Sequence, residues 1–402
     1  MSKNKTTGSD WYLIIGQLLA QLSDRMTSLG LIWMVTEQFG EKWVTWYLVA
    51  GGLPHFLLSP WTGRLIQKTG ALKPVIIADW LRAILYFFAF FVIMKVVLVQ
   101  DLILVMTLIF LSNCFAAFFN PAILSVPLEL EKGSEVQKLT ARLSSVSSLT
   151  VVVGPILGMF CFQHFGLRGL FILNFISYLI SGLCAWTLRT RITAAQDTEQ
   201  TTDNKTIGLR KTLRENALVA VMLFVFLLMN LLLSPLQVQI PYLAKHIFGG
   251  SFNSLAILEV SLGGGVLMGG LILSWHSIQR KTLLATYLCL IGLCMGFLGF
   301  QLNHQLWVAV SSLLFMGIFI GLANILIINI FQSYPSLVHV PNIMSLVNSI
   351  GAAAVPFALI VVGGLQTMMT IEKISFLSGL CLFIICLFIY FPFNKFGKDL
   401  MS

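Results

Sequence analysis

Charged residues are scarce in this sequence: only 10% of its 402 residues are Asp, Glu, Lys or Arg, whereas 57% are hydrophobic. A soluble globular domain carries roughly a quarter charged residues, so this chain lacks the surface that water requires. Apolar stretches of about 20 residues, each long enough to cross roughly 30 Å of hydrocarbon as a helix, recur along the chain. The sequence therefore predicts an all-α membrane protein that crosses the bilayer many times.

The sequence also lacks the motifs of metal-dependent, cofactor-dependent and ATP-driven proteins. Its seven cysteines occur singly in apolar segments, without a CxxC pair, and a lone cysteine in such a helix behaves as a small hydrophobe. It contains no Walker phosphate loop, no His-Glu zinc signature and no nucleophile elbow. We therefore predict no metal centre, no cofactor, no ATP-driven transport and no enzymatic activity.

The N-terminal residues and the charge pattern argue against two further classes: proteins with a secretory signal peptide and nucleic-acid-binding proteins. The first ten residues, MSKNKTTGSD, contain no apolar signal-peptide core, so the first membrane span is predicted to act as the targeting signal. The net charge is +9, but the basic residues are dispersed among loops and form neither one face nor one arm. Nucleic-acid binding requires many contacts from cations to phosphates, so we predict no nucleic-acid partner.

Apolar runs separated by charged residues, glycine or proline predict twelve transmembrane spans. They lie near residues 11–36, 43–63, 74–97, 101–126, 139–164, 167–188, 217–244, 252–275, 282–301, 305–332, 340–366 and 374–393. Because the number of spans is even, both termini are predicted to lie on the same side of the membrane.

The basic residues predict which side this is. With the N-terminus inside, 18 of the 25 Lys and Arg fall in inner segments, and two, Arg25 and Arg82, lie within spans. The remaining five lie in outer loops: Lys42, Lys95, Arg168, Lys245 and Lys373. Cytoplasmic loops carry an excess of basic residues. We therefore predict a multi-pass protein of the cytoplasmic (inner) membrane with both termini cytoplasmic.

The chain is predicted to consist of two related halves. The longest polar stretch, residues 189–216, would be a cytoplasmic linker between an N-terminal six-helix bundle (1–188) and a C-terminal one (217–402). The halves also share a pattern of small residues and proline at a constant offset of 201: Ser144, Ser148 and Pro155 correspond to Ser345, Ser349 and Pro356. Internal repeats of this kind place a substrate site near the bilayer midplane, between the halves.

Three groups of residues carry a family resemblance. The first is the loop after span two with the start of span three, Pro60-Trp-Thr-Gly63-Arg64, Gln67-Lys68 and Asp79-Trp-Leu-Arg82. The second is Gly154-Pro155-Ile-Leu-Gly158, and the third runs from Gly321-Leu-Ala-Asn324 to Val340-Pro341-Asn342. Together they resemble the major facilitator superfamily, and within it the branch of drug and siderophore exporters typified by macrolide-efflux proteins and the enterobactin exporter.

The resemblance implies a fold and a mode of action. The fold would be twelve transmembrane helices arranged as two pseudo-symmetric six-helix bundles. Movement of the bundles would open one substrate site to each side of the membrane in turn. Gly154, Pro155 and Gly158 resemble the core of the motif that this superfamily's antiporters carry. Gln67 and Lys68 depart from the family pattern, because the resembling loops have an acid and an arginine there.

Two carboxylates are candidates for proton coupling. Asp24 lies about thirteen residues, or roughly 20 Å of helix rise, from the start of span one, and Glu259 is the acid deep within span eight. A charge inside a span is costly and usually functional. A carboxyl group buried there can take up and release a proton near neutral pH. The alternative for both residues is a structural hydrogen bond to a polar group on a neighbouring helix.

Five charged residues near the predicted cytoplasmic ends of spans are candidates for an inner gate, which would break and re-form as the halves move. They are Arg64, Lys68, Asp79, Arg82 and Arg142. Asp79 and Arg82 stand three residues apart, close enough to share one face of a helix.

Uncharged polar residues within the spans are candidates for lining a cavity, because each must bond a partner or contact water. The cavity candidates are Asn113, Asn120, Asn230, Gln237, Asn324 and Asn348. His55 follows Pro54 in span two and is interpreted first as a satisfied polar group, with a proton-carrying role as the alternative. The glycines of span eight, at 263–265 and 269–270, are interpreted as a close-packing face.

The sequence thus favours a secondary active exporter that exchanges protons for an amphipathic small molecule such as a drug or a siderophore. Its partners would be the substrate, protons and the lipid bilayer, with no obligatory protein partner evident. A competing hypothesis is divalent-metal export, because Leu22-Ser-Asp24-Arg25-Met26 also resembles span one of ferroportin-like exporters. Two weaker hypotheses are lysolipid transport and a non-transporting role as a receptor or scaffold.

Overall fold

The computed structural model describes residues 10–92, 99–131, 134–192, 217–275, 282–301, 305–333 and 340–399, and within these ranges its regular structure is α-helical throughout. The helices are α1 (Asp10–Gln38), α2 (Glu41–Thr69), α3 (Leu72–Val92), α4 (Val99–Leu130), α5 (Ser134–Ile192), α6 (Ala217–Leu233), α7 (Leu236–His246), α8 (Phe252–Trp275), α9 (Thr282–Gln301), α10 (Leu306–Ser333), α11 (Val340–Leu365) and α12 (Ile371–Asp399). Most of the predicted linker, residues 193–216, lies outside the described ranges.

Nine helical segments of the described chain are long and apolar enough to cross a membrane. One of them, Glu135–Leu188, runs through a break in α5 and therefore contains two arms. Helices α1 and α2 are not among the nine, although each is 29 residues long. The predicted all-α membrane architecture is confirmed, and the count of twelve spans stays a prediction.

The helix ends differ from the predicted spans where polar residues extend a helix beyond its apolar part. Helices α8 and α9 coincide with the predicted segments 252–275 and 282–301. Helix α2 continues to Thr69, beyond the predicted span end near residue 63. Arg64 and Lys68 lie in this extension. Arg and Lys have good helix propensity, so a helix can continue through them beyond its apolar part. Hydropathy alone cannot detect such an extension.

Two interruptions divide long apolar segments. Gly166 in α5 has φ 61° and ψ −167°, a conformation that glycine adopts without a Cβ penalty, and it separates arm α5a (residues 134–165) from arm α5b (residues 167–192). The predicted boundary between spans five and six falls at this residue. Within the predicted span 217–244, Pro235 lacks the N–H that would continue the hydrogen-bond ladder, so α6 ends at Leu233 and α7 begins at Leu236.

The chain separates into two compact units. Unit 1 contains α1, α3, α4, both arms of α5 and the part of α2 from Tyr47 onward. Unit 2 contains α6 to α12 together with Gly40–Trp46. The predicted domain limits at residues 188 and 217 stay a prediction.

In unit 1 an apolar core joins α1, α3, α4 and α5b. Its fully buried side chains include Leu13 of α1, Val75 of α3, Ala122 of α4 and Ala185 of α5b. At the start of α3, the carboxylate of Glu129 from α4 accepts hydrogen bonds from the backbone N–H groups of Ala71 and Leu72. These hydrogen bonds cap the otherwise unpaired donors of a helix N-terminus. They also hold the start of α3 next to Glu129 of α4.

In unit 2 the contact between α8 and α10 is made through glycine. A Cβ atom on Gly269 would collide with the carbonyl oxygen of Ile318, and one on Gly321 would collide with that of Val266. The two backbones can approach this closely only because neither residue has a side chain. The close-packing role predicted for the glycines of span eight is confirmed at Gly265 and Gly269, whereas Gly264 faces open space.

Candidate functional site

A cavity of about 760 Å³ lies within unit 1. Helices α1 to α4 and both arms of α5 contribute to its wall, so every long helix of the unit reaches it. Its lining consists of Ala20, Gln21, Asp24, Arg25, Ser28, His55, Arg82, Asn113, Ala116, Phe119, Asn120, Ile123, Leu124, Pro127, Thr140, Leu143, Ser144, Ser147, Ser148 and Tyr178. Pockets for drug-sized ligands have volumes of about 300–1,000 Å³ and mix an apolar lining with a few polar groups. The volume of this cavity lies in that range, and its lining is more polar than is usual, because thirteen of its twenty residues are polar or charged.

Asp24 presents its carboxylate to this cavity. The residue is exposed, and it lines the cavity wall from the middle of α1. Its Oδ1 atom accepts a hydrogen bond of 2.9 Å from the hydroxyl of Tyr178 on α5b. A hydrogen bond to a charged acceptor is stronger than one between neutral groups, so Tyr178 fixes the orientation of the Asp24 carboxylate.

Asp79 and Arg82 form a second group of charges, which lies deeper in unit 1. Both residues are buried, and Nη1 of Arg82 lies 3.9 Å from Oδ1 of Asp79. The other carboxylate oxygen, Oδ2, accepts a 2.6 Å hydrogen bond from Ser181, whose Oγ accepts in turn from the amide of Gln17 at 3.3 Å. Asp79 is thus held from α1 and α5b as well as by its neighbour one turn along α3.

Arg82 connects this buried group to the cavity, because its side chain lines the wall. The guanidinium carbon lies 4.7 Å from the ring centre of Phe119 and 5.3 Å from that of Tyr178. Cations are attracted to aromatic faces at such distances. Within the described chain, however, Nε and Nη2 of Arg82 and Oδ1 of Asp79 have no hydrogen-bond partner. Buried polar atoms without a partner are rare and costly, so the hydrogen bonding of Arg82 and Asp79 is incomplete here.

Tyr178 is the residue that joins the two charged groups. Its hydroxyl donates to Asp24, and the face of its ring lies beside the Arg82 guanidinium. The ring is stacked on that of Tyr86 at 5.9 Å with an interplanar angle of 19°, which holds it in place. Sequence reasoning did not select Tyr178 or Ser181. Their spacing of three residues on one helix face, in a span with few other polar groups, was the available signal.

The three residues of the antiporter-like motif lie where α5a meets α1. A Cβ atom on Gly154 would stand 2.7 Å from Cβ of Arg25, and one on Gly158 would stand 3.3 Å from Cα of Met26. Pro155 is buried between them. The two glycines therefore bring α5a against the turn of α1 that carries Asp24. The contacts themselves are made to Arg25 and Met26, the two residues that follow Asp24. The antiporter role of the motif stays a prediction.

The five residues predicted as a cytoplasmic gate occupy two different environments. Asp79 and Arg82 are buried in the group described above, whereas Arg64, Lys68 and Arg142 are exposed. The guanidinium carbon of Arg142 lies 5.9 Å from the ring centre of Trp11. The structure therefore brings Asp79 and Arg82 together with cavity residues. The gating role of the five residues stays a prediction.

The predicted amide candidates divide between the two units. Asn113 and Asn120 of α4 line the cavity, and Asn113 contacts Nε2 of His55 at 3.1 Å. The candidates of unit 2 lie on other helices. Asn230 donates to the carbonyl of Phe226 in its own helix, Gln237 and Asn348 are exposed, and Asn324 is half-buried.

Glu259 lies half-buried on α8, in unit 2. Asp24 and Glu259 therefore belong to different units. Across the described ranges, no three His, Cys, Asp or Glu side chains stand together as a set that could hold a metal ion.

A second, smaller pocket of about 410 Å³ lies in unit 2. The amides of Gln239 and Gln301 form a reciprocal pair in its wall, with hydrogen bonds of 2.6 and 2.8 Å. Glu372 and Lys373 also line this pocket, so it too carries charged groups. The cavity of unit 1 is the stronger candidate site because it is larger and is lined by the predicted residues Asp24, Arg82 and Asn113.

The chain is similar in sequence to a known protein family and to several bacterial proteins. The family model described as "Major Facilitator Superfamily" matches residues 13–359. Macrolide efflux protein A of Streptococcus pyogenes is 23% identical over 385 residues, which cover 92% of this chain and 93% of that protein. A protein named as a bacilysin exporter, BacE of Bacillus subtilis, is 22% identical over 288 residues, which cover 71% of each chain.

Solved structures share the same fold. A bacterial homologue of the iron transporter ferroportin, crystallised in an inward-facing state, superimposes with a TM-score of 0.73 at 14% identity, over 96% of this chain and 99% of that one. The nucleoside transporter NupG superimposes with a TM-score of 0.67, also at 14% identity and with the same coverage. At this identity the likeness concerns the fold alone.

Proposed function

Because this chain belongs to the Major Facilitator Superfamily, we propose that it is a secondary active exporter that exchanges protons for an amphipathic small molecule. As a member of this superfamily it is a multi-pass membrane transporter. The direction of transport is supported by the relatives named as efflux and exporter proteins. The observation that carries the proposal is the cavity of about 760 Å³ with the Asp24 carboxylate exposed in its wall.

Alternating access is the mode of action that we propose for the two units. Transporters built from related halves move one half against the other, so that a site near the midplane opens to each side in turn. Gly154 and Gly158 support this mode in unit 1, because they let α5a slide or tilt against α1 without a side chain between the backbones. The substrate site would include the cavity residues of unit 1.

Proton coupling is proposed at Asp24, with Glu259 as a second carboxylate in the other unit. A coupling group must reach both the proton and the substrate. Asp24 satisfies this requirement because it faces the cavity and accepts a hydrogen bond from Tyr178 at Oδ1. Protonation would remove the negative charge that Tyr178 stabilises, which changes the cavity charge seen by a substrate.

The location proposed for the chain is the cytoplasmic membrane, with both termini on the cytoplasmic side. The support is the 18-to-5 distribution of Lys and Arg between predicted inner and outer segments. Cysteine labelling with a membrane-impermeant maleimide, at sites introduced into each terminus of a variant that lacks the seven native cysteines, would test this orientation.

Transport is tested best with purified protein in liposomes. An imposed pH gradient, acidic inside, should drive uphill uptake of at least one cargo from a panel of a macrolide, a siderophore and a hydrophobic dipeptide. Asp24→Asn should abolish the gradient-driven component while the protein still incorporates into the liposomes. Lys138→Gln, which changes an exposed residue paired with Glu135 on the surface, is the control. Uphill transport that persists in Asp24→Asn and in Glu259→Gln would contradict the coupling proposal.

Divalent-metal export is the alternative use of the Asp24 carboxylate. His55 and Asn113 also line the cavity and could add ligands. Arg25 and Arg82 line the same wall, however, and their two positive charges oppose a divalent cation. We therefore favour an organic substrate. Calorimetric titration with Mn²⁺ and Co²⁺ separates the two, because metal export requires saturable binding that Asp24→Asn removes.

A further inference from the structure

The charged groups of the cavity wall have opposite signs and are unequal in number. Asp24 supplies one carboxylate, whereas Arg25 and Arg82 supply two guanidinium groups. The other lining residues are uncharged, apart from the titratable His55. Asp79, the carboxylate nearest to Arg82, does not line the cavity. A bound molecule therefore meets one anion and two cations.

The Arg82 guanidinium is incompletely satisfied in this environment. Its Nη1 atom approaches the Asp79 carboxylate at 3.9 Å, which is longer than a charge-assisted hydrogen bond of about 2.7–2.9 Å. Its Nε and Nη2 atoms have no partner within the described chain, and the residue is only 4% exposed. A planar guanidinium with unused N–H donors is suited to a carboxylate, which can accept two parallel hydrogen bonds.

Asp24 offers the complementary group. Its Oδ1 atom is occupied by the Tyr178 hydroxyl, but the residue is exposed to the cavity. An ammonium group is the natural partner for a carboxylate, and in a cavity partly enclosed by protein the attraction between opposite charges exceeds its value in water. Tyr178 contacts both Asp24 and Arg82, so a single side chain lies against both groups of opposite charge.

We propose that this cavity selects a zwitterionic substrate, with its carboxylate directed to Arg82 and its ammonium group to Asp24, as in an amino acid derivative or a short peptide. This inference rests on the proposed transport function and specifies its substrate class. Apolar side chains of such a substrate would contact Phe119, Ile123 and Leu143 in the same wall. A substrate with only a positive charge meets two arginines, and a substrate with only a negative charge meets Asp24.

Four dipeptides that differ only at their termini test the charge requirement. Phenylalanyl-phenylalanine is zwitterionic, its C-terminal amide is a cation, its N-acetyl derivative is an anion, and the doubly blocked form is neutral. Binding to the purified full-length protein in detergent is measured by calorimetric titration. The zwitterion should bind at least about tenfold more tightly than any blocked form, because each lost charge leaves a charged group of the wall without its partner. Equal affinities across the series would overturn the proposal, as would no binding of the zwitterion at millimolar concentration.

Variants assign each terminus of the ligand to one residue. In Asp24→Asn the zwitterion and the N-acetyl dipeptide should bind equally, since the group that reads the ammonium is gone. Arg82→Gln removes the carboxylate site but also leaves Asp79 without its cation, so it is paired with Asp79→Asn in a double variant that keeps the interior uncharged. In that double variant the zwitterion and the amide should bind equally. Lys138→Gln should leave all four affinities unchanged, and discrimination that survives in both cavity variants would contradict the assignment.

Transport measurements separate this inference from the proposed function. If the zwitterion binds with the expected charge dependence but a pH gradient does not drive its uptake, the substrate class stands and the coupled-export proposal fails. If the gradient drives uptake of another cargo while the four dipeptides show no charge preference, export stands and the zwitterion proposal fails.

Discussion

The two units of this transporter differ in what holds their interiors together. The buried polar side chains of unit 1 include an acid and a base, Asp79 and Arg82, whereas those of unit 2 within the described ranges are all hydroxyls and amides. Unit 2 instead joins α8 to α10 through glycine backbones in direct contact. A charged interior depends on specific partners, and a glycine contact depends on the absence of side chains. The comparison therefore contrasts a buried acid and base in unit 1 with a contact between glycine backbones in unit 2.

The largest effect is expected from leaving the buried base of unit 1 without its acid. Asp79→Ala should reduce the free energy of unfolding by about 3–5 kcal/mol, because it leaves a buried guanidinium unpaired. Unfolding in detergent micelles, followed by circular dichroism, measures the change. Replacing both residues, as in Asp79→Leu with Arg82→Met, should recover much of the loss, since an apolar pair needs no partner.

The matched control for this change is the exposed pair of Glu135 and Lys138, whose charged atoms lie 2.7 Å apart. Glu135→Ala should alter stability by no more than about 0.5 kcal/mol, because exposed ion pairs contribute little. Equal losses in Asp79→Ala and Glu135→Ala would show that the charged interior of unit 1 is not what stabilises it.

A smaller effect is expected at the glycine contact of unit 2. Gly269→Ala should destabilise the protein by about 1–3 kcal/mol, because the added methyl group collides with the backbone of α10 at Ile318. Gly264→Ala on the same helix meets nothing within 4 Å and should be neutral or stabilising, since alanine has the higher helix propensity. The same unfolding assay applies. A Gly269→Ala variant as stable as Gly264→Ala would remove the proposed difference between the units.

The smallest effect is expected at the Tyr178 hydroxyl of unit 1, and it concerns substrate affinity rather than stability. Tyr178→Phe keeps the ring against Arg82 and Tyr86 but removes the hydrogen bond to Asp24. A lost hydrogen bond to a charged group corresponds to about 1.5–3 kcal/mol at most, so substrate affinity should fall by about tenfold, with little loss of stability. Tyr86→Phe, whose hydroxyl is 3.5 Å from that of Ser112, is the control and should bind substrate normally. Indistinguishable affinities in the two variants would exclude Tyr178 from positioning Asp24.

Local sequence features predicted the helices well but the site only in part. Apolar runs and glycine or proline punctuation identified the break at Gly166 and the limits of α8 and α9, because these depend on neighbouring residues. The sequence also identified Asp24, Asp79 and Arg82 as candidate site residues, because a charged residue within a span is energetically costly. The sequence placed Asp79 and Arg82 in one predicted group with Arg64. That grouping used only their distance from the predicted end of a span, because the sequence does not show which face of a helix is buried.

The sequence by itself determined that this chain is a multi-helix membrane protein with a few charges inside its spans, because composition and hydrophobic length are sums over local residues. Only the tertiary structure decided which of those charges meet. Tyr178 lies 154 positions from Asp24 along the chain and Ser181 lies 102 from Asp79, so their hydrogen bonds exist only once α5b packs against α1 and α3. Only 10% of the residues of this sequence are charged. Because so few ionic partners are available, each charged residue inside a span depends on the fold to bring a partner close to it.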